Sequence, residues 1–188
     1  MLPRLIRFTL PLLLLCSMAW AAEVDGVIFP ATIQANGKTL TLNGAGLRTW
    51  SILSIHIYAA GLYLEHPRTS PEDILKTRET RLMNIVFRRD IDADQARDAW
   101  RIGLENNCQP PCAIDPADLK RFLAEIPAMR AGEVFTLLFT GSGAIVTAGG
   151  RPVGTVTRPE FADAMLATFL GPKPASPALK QALLQGHP

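Results

Sequence analysis

The sequence is poor in the residues that bind metals or form cross-links, with three cysteines and three histidines among 188 residues. So few cysteines cannot hold a disulfide-knit mini-protein together. His56, His66 and His187 are scattered, and none stands one helical turn from a second ligand. Cys108 and Cys112 have no histidine near them, so neither a metal nor any other resident cofactor is expected. Basic runs are missing too, which excludes the electrostatic footprint of a nucleic-acid partner. Beyond the N-terminus no apolar stretch approaches the roughly 20 residues of a bilayer-spanning helix. Gly141-Ser142-Gly143 and Gly149-Gly150 lie between expected strands and open no helix, so they read as hairpin turns and not as phosphate loops. No serine occupies a G-x-S-x-G elbow, which leaves a hydrolase triad without an anchor. Charged residues make up only 19% of the chain against 48% apolar, too greasy a balance for disorder.

The first feature present is a leader. Residues 1–21 combine a basic start (Arg4, Arg7), an apolar run over Leu10–Cys16 broken at Pro11, and the small-x-small tripeptide Ala19-Trp20-Ala21. Cleavage is expected after Ala21, with export to the periplasm. Leu15 is too bulky for the residue before an acylated cysteine, so Cys16 is expected to leave with the leader and no membrane anchor to remain. The cut removes two of 19 basic residues and none of 17 acidic ones, leaving 17 of each and a formally neutral chain. Residues 22–188 are expected to form one domain, long enough to bury most of the surface of the unfolded chain.

The remaining residues alternate between strand and helix signals. Val27–Phe29 and Thr32–Gln34 lead to Asn36-Gly37, a strong hairpin signal because both residues tolerate positive φ. Thr39–Leu42 returns, and Asn43-Gly44-Ala45-Gly46 reads as a second tight break. Leu47–Leu53 and Ile55–Leu64 follow as strands, the latter apolar on both faces as in a covered central strand. Gly61 is a candidate bulge. Ser70-Pro71 opens a short helix, Arg81–Arg89 is a strand, and Asp92 or Asp94 starts a helix with Ala96, Ala99, Trp100, Gly103 and Leu104 on one side. Asp115-Pro116 caps the next helix. Glu133–Thr140, Ala144–Ala148 and Val153–Val156 form a meander. Thr157-Arg158-Pro159-Glu160 reads as a capping box for a helix to Leu170, and Ser176-Pro177 starts a last helix to Gln185. Strands first, helices next, then a meander and helices again make an α+β pattern: a large, mainly antiparallel sheet with helices layered on one face.

Two constellations carry chemistry. Cys108-Gln109-Pro110-Pro111-Cys112 reads as a disulfide, since two prolines bend the chain between thiols bound for an oxidising compartment. A redox-active pair is the alternative, against which the spacing is not C-x-x-C. Arg48 and Tyr58 lie on neighbouring strands and can approach across the ladder. A guanidinium fork beside a phenol, within apolar walls, suits a small amphipathic anion. The competing reading makes Arg48 a solvated edge residue and Tyr58 a core ring.

At these residues the sequence resembles the chalcone isomerase fold family. Asn43-Gly44-Ala45-Gly46-Leu47-Arg48 is similar to that family's G-x-G-x-R segment, and Gly61-Leu62-Tyr63-Leu64-Glu65 to its G-[VL]-Y-L-E strand. Leu166–Gly171 and Ser176–Lys180 resemble its closing helix pair. The resemblance implies an open-faced sandwich with a ligand cleft between sheet and helices. It also implies an enzyme set of which only Arg48 is matched. Tyr58 stands at the strand threonine, Ala96 and Gly103 where tyrosine and asparagine are used, and Ala162 or Asp163 at the late hydroxyl. Arg48 with Tyr58 resembles instead the non-enzymatic branch, whose plant members bind fatty acids. The expected function is therefore non-catalytic binding of a fatty-acid-like anion, with an intramolecular lyase on an unknown substrate as the alternative; the sequence points to no particular protein partner.

Overall fold

The computed structural model describes residues 21–50, 53–108, 110 and 112–185. All of the expected leader except Ala21 lies outside the described residues, as does Gly186. The chain opens with β1 (Ala22–Val24) and β2 (Val27–Phe29), a two-stranded antiparallel ribbon. β3 (Thr32–Ala35) then pairs with β4 (Lys38–Trp50) through the expected hairpin, where Asn36 and Gly37 both have positive φ. β5 (Ile55–Leu64), β6 (Arg81–Phe87), β7 (Val134–Thr140), β8 (Gly143–Ala148) and β9 (Arg151–Val156) continue the sheet. All seven strands run antiparallel in chain order, as a plain meander.

Among the described residues, five helices join this sheet: α1 (Pro71–Lys76), α2 (Ala93–Asn107), α3 (Pro116–Glu125), α4 (Pro159–Leu170) and α5 (Pro177–Leu183). Four start where a short polar side chain can accept from a free backbone N–H. Ser70 receives Asp73, Asp92 receives Gln95, Asp115 receives Ala117 and Ser176 receives Leu179. α4 is the exception and corrects the capping-box reading. Its N-cap is Arg158, with no side-chain cap bond, and Pro159 occupies the first turn. The Arg158 guanidinium turns instead to Asp118, 3.0 Å away.

The Asn43–Gly46 break is also corrected, because β4 runs through it as one strand with a register shift between Leu42 and Gly44. Neither Gly44 nor Gly46 has positive φ. They are glycines because α5 lies directly on them. A Cβ on Gly44 would collide with the backbone of Ala182 and Leu183, and one on Gly46 would come within 2.5 Å of the Ala182 Cβ. Asn43, the extra residue of the bulge, is fully buried and ties the strand down. Its amide donates to Leu183 O at 2.8 Å and its carbonyl accepts from Arg68 N at 2.7 Å.

Both faces of β5 are covered, as its composition implies. Tyr58, Ala60, Leu62 and Leu64 belong to the core beneath the helices, while Ala59 and Tyr63 belong to a second core beneath the β1–β2 ribbon. Gly61 is no bulge: it pairs in register with Ala45 and Asn84. It makes room for Phe29 of the ribbon, whose ring would stand 2.6 Å from an added Cβ. The ribbon is pinned at its turn, where Asp25 accepts from Arg88 at 2.8 Å and pairs with His56 at 3.1 Å. α4 carries no single apolar stripe. Nine of the twelve residues of α4 are buried, because α4 packs against the sheet and against both α1 and α2.

The glycine face of β4 generates a stability test. Gly44→Ala is expected to cost about 3 kcal/mol, the upper end for an overpacked core, since the clash is with backbone that cannot rotate away. Gly154→Ala meets nothing within 4 Å and should change stability little. Parallel urea denaturation of the two variants measures the difference.

Candidate functional site

The spacing of the glycines decides where Arg48 emerges. Strand side chains alternate between faces, so Gly44, Gly46 and Arg48 share one face, opposite Leu62, Ala60 and Tyr58. α5 covers the two glycines, and Arg48 is the next side chain on that face. It lies directly across the ladder from Tyr58, with its guanidinium carbon 5.5 Å from the centre of the phenol ring, a cation–π distance. A second register shift, between Arg48 and Thr49, makes Ile57 an extra residue of β5. Ile57 and Tyr58 therefore both line the same cleft.

The cleft has a volume of about 740 Å³, within the range of small-molecule sites. β4, β5 and β6 supply one wall through Arg48, Tyr58, Ile85 and Phe87; α2 supplies the other through Ala96, Trp100 and Gly103. Trp100 closes its depth within an aromatic cluster, with ring centres 5.3 Å from Phe122, 6.1 Å from Phe135 and 6.0 Å from Phe169. Gly103 lets α2 cross close to α4, since an added Cβ would meet Thr168 Cγ2 at 3.0 Å. Asn107, at the end of α2, straps down the segment that rims the cleft. Its amide donates to Lys173 O at 2.8 Å and its carbonyl accepts from Lys173 N at 3.1 Å. Cys108, the next residue, is joined to Cys112 as a disulfide.

Tyr58 is 5% exposed and stacks edge-on against Phe87. Burial raises its phenol above the usual value, and the nearby Arg48 charge only partly opposes that rise. The phenol is therefore a neutral donor at physiological pH. Arg48 is half-buried and forms no ion pair with a described residue. A cation without a described counter-ion and a neutral hydroxyl, set together on the cleft wall, can hold a carboxylate or a similar anionic head.

A second cavity of about 330 Å³ lies between α3, β9 and the start of α4, but Asp118 engages both of its arginines, Arg121 and Arg158. Arg81, 1% exposed on the helix face of the sheet, donates to Ile74 O at 2.9 Å and faces Asp163 at 3.5 Å.

A sequence model described as chalcone isomerase-like matches residues 21–185. The chain belongs to the chalcone isomerase-like family. A crystal structure of a fatty-acid binding protein from Arabidopsis thaliana is similar in fold, with a TM-score of 0.69 at 18% identity, covering 85% of this chain and 92% of that one. No curated protein matches the sequence. The α+β sheet-and-helix architecture is thus that of the chalcone isomerase-like fold.

Within this family member, the positions matched to the enzymes' tyrosine and asparagine, Ala96 and Gly103, do lie on the cleft wall and bring no polar group to it. Ala162 and Asp163 do not line the cleft. The α4 hydroxyl that reaches it is Thr168, whose Oγ1 donates to Met165 O at 2.7 Å. Sequence reasoning also missed Arg89, Asn106 and Lys173 at the rim. Trp100 had a signal, its place on the apolar stripe of α2; the rim residues had none.

The only tyrosines of the chain, Tyr58 and Tyr63, are both buried, and burial pushes the Tyr63 phenol up to about 12. The unfolded chain releases phenolic protons near pH 10 while the folded one retains them, so stability should fall as pH rises from about 10 toward 12. Absorbance near 295 nm should accordingly show little tyrosinate at pH 10 and a rise that coincides with unfolding. A full tyrosine step at pH 10 in folded protein contradicts this.

Proposed function

We propose that this protein is an exported, non-catalytic binder of a small amphipathic anion of the fatty-acid type. The anionic head lies on Arg48 and Tyr58, and the apolar chain runs along Ile85, Trp100, Phe135 and Phe169. One observation carries the reading: a guanidinium with no carboxylate partner among the described residues rests on a buried phenol at the wall of a cleft also lined by Ile85, Trp100, Phe135 and Phe169. The Arabidopsis protein of similar fold, a fatty-acid binding protein, supports the same ligand class. The cleft wall at Ala96 and Gly103 supports binding over cyclisation, because nothing there orders a water or polarises a ketone. Export rests on the leader pattern of residues 1–21, and intact mass of protein from its own host should correspond to a chain beginning at Ala22.

The binding test is native mass spectrometry of protein purified from that host, followed by titration with a fluorescent long-chain fatty acid. A co-purifying lipid is expected, and Arg48→Ala should lose about 1.5–3 kcal/mol of probe affinity, the worth of a charge-assisted contact. Tyr58→Phe should fold normally and bind more weakly. Unchanged affinity in Arg48→Ala rules the proposal out, and measurable chalcone turnover by a clean apo protein replaces it with the lyase.

A further inference from the structure

We infer that the mouth of the cleft docks on a lipid surface bearing anionic headgroups, so that cargo passes between bilayer and cleft without crossing water. The inference rests on the proposed binding of an amphipathic ligand and adds where that ligand is collected or delivered. Six large apolar side chains are exposed among the described residues; two stand at this mouth, and a third follows Trp50 closely in sequence. Trp50, 63% exposed, and Ile102, 49% exposed, stand on the cleft wall. Leu53, 77% exposed, lies in the turn joining β4 to β5, three residues beyond Trp50. The other three are elsewhere: Ile28 on the ribbon, Val134 and Ile145 on the sheet face away from the helices. An exposed tryptophan and isoleucine on the cleft wall, with an exposed leucine three residues beyond the tryptophan, match the interfacial zone of a bilayer, where indole rings favour the headgroup level.

Charge selects the surface. The charged residues lining the cleft are Arg48, Arg89 and Lys173 against Asp98 alone, and Asp98 is engaged by Arg101 at 3.2 Å. None of the three cations forms an ion pair with a described residue. The chain as a whole, without its expected leader, is formally neutral, so this positive excess is local. It complements anionic headgroups, and such attraction weakens as salt screens it. No described helix is long and apolar enough to cross a membrane, so the contact is a surface one.

Flotation with vesicles tests it. The protein should co-float with phosphatidylcholine vesicles containing one quarter phosphatidylglycerol, poorly with phosphatidylcholine alone, and less as salt is raised. Leu53→Ser should lower the partition coefficient by about tenfold, the worth of one buried leucine side chain. Ile145→Ser, on the far face, should leave it unchanged. Leu53 is not part of the cleft wall, so Leu53→Ser should keep wild-type affinity for the fatty-acid probe in solution. Absence of flotation, equal flotation on neutral vesicles, or indifference to Leu53→Ser overturns the docking surface. Failure to bind the probe in vesicle-free solution overturns the cleft reading instead, so the two failures are separable.

Discussion

Two bare glycines on one face of a single strand fix the geometry of this protein. Because Gly44 and Gly46 have no side chains, α5 rests against the backbone of β4, and the strand's two-residue period brings Arg48 out just past the helix. A larger residue at either position would push α5 away and open the sheet to solvent where it is now closed. The G-x-G-x-R segment is therefore a packing device followed by a charge. The glycines do not serve the arginine's chemistry; they decide that it stands at the edge of the helical cover and not beneath it.

That placement matters because a guanidinium among apolar groups is costly unless its donors are met. Arg48 and Arg81, both on the helix face of the sheet, meet this cost differently. Arg81 is sealed in, and donates to the last carbonyls of α1 and to Asp163. Its charge is internal to the fold. Arg48 has only the face of the Tyr58 ring, and its half-burial keeps the remaining donors open to water or to an anion. The same ring is neutral because burial opposes its ionisation, so it offers a hydroxyl donor where a phenolate would repel an anionic head. The chemical difference between these two arginines lies wholly in what surrounds them.

The parts of this arrangement that were legible in the sequence are the local ones. The Asn36-Gly37 hairpin, the caps at Ser70, Asp92, Asp115 and Ser176, and the two-faced apolar run of β5 all follow from neighbours within a few residues. The opposition of Arg48 and Tyr58 was legible because a hairpin pairing relates them. What failed needed partners far along the chain. Glycine in a turn and glycine beneath a helix look alike until α5, more than 130 residues later, is placed on Gly44 and Gly46. Gly61 was misread in the same way, since its partner is Phe29 on the opposite face. The capping box failed because Thr157 competes with Pro159, which already suits the first helical turn, and because Arg158 has an ion pair elsewhere.

The cleft itself is a consequence of the helix crossing and not a fault in packing. Over the middle of β5 the sheet is covered on both sides, by the ribbon and by the helices. Toward the β4–β5 turn this cover parts. α2 is held tightly to α4 where Gly103 meets Thr168, and Asn107 fixes the segment after α4 by a reciprocal pair of bonds to Lys173. With both points fixed, α2 does not settle further onto β5 and β6, and no described residue fills the space between Trp100 and Tyr58. A fold that simply collapsed would have placed a larger side chain at Ala96 or Ala99. Small residues there, on the face turned to the sheet, keep the trough open beside Arg48, a half-buried cation that pairs with no described carboxylate.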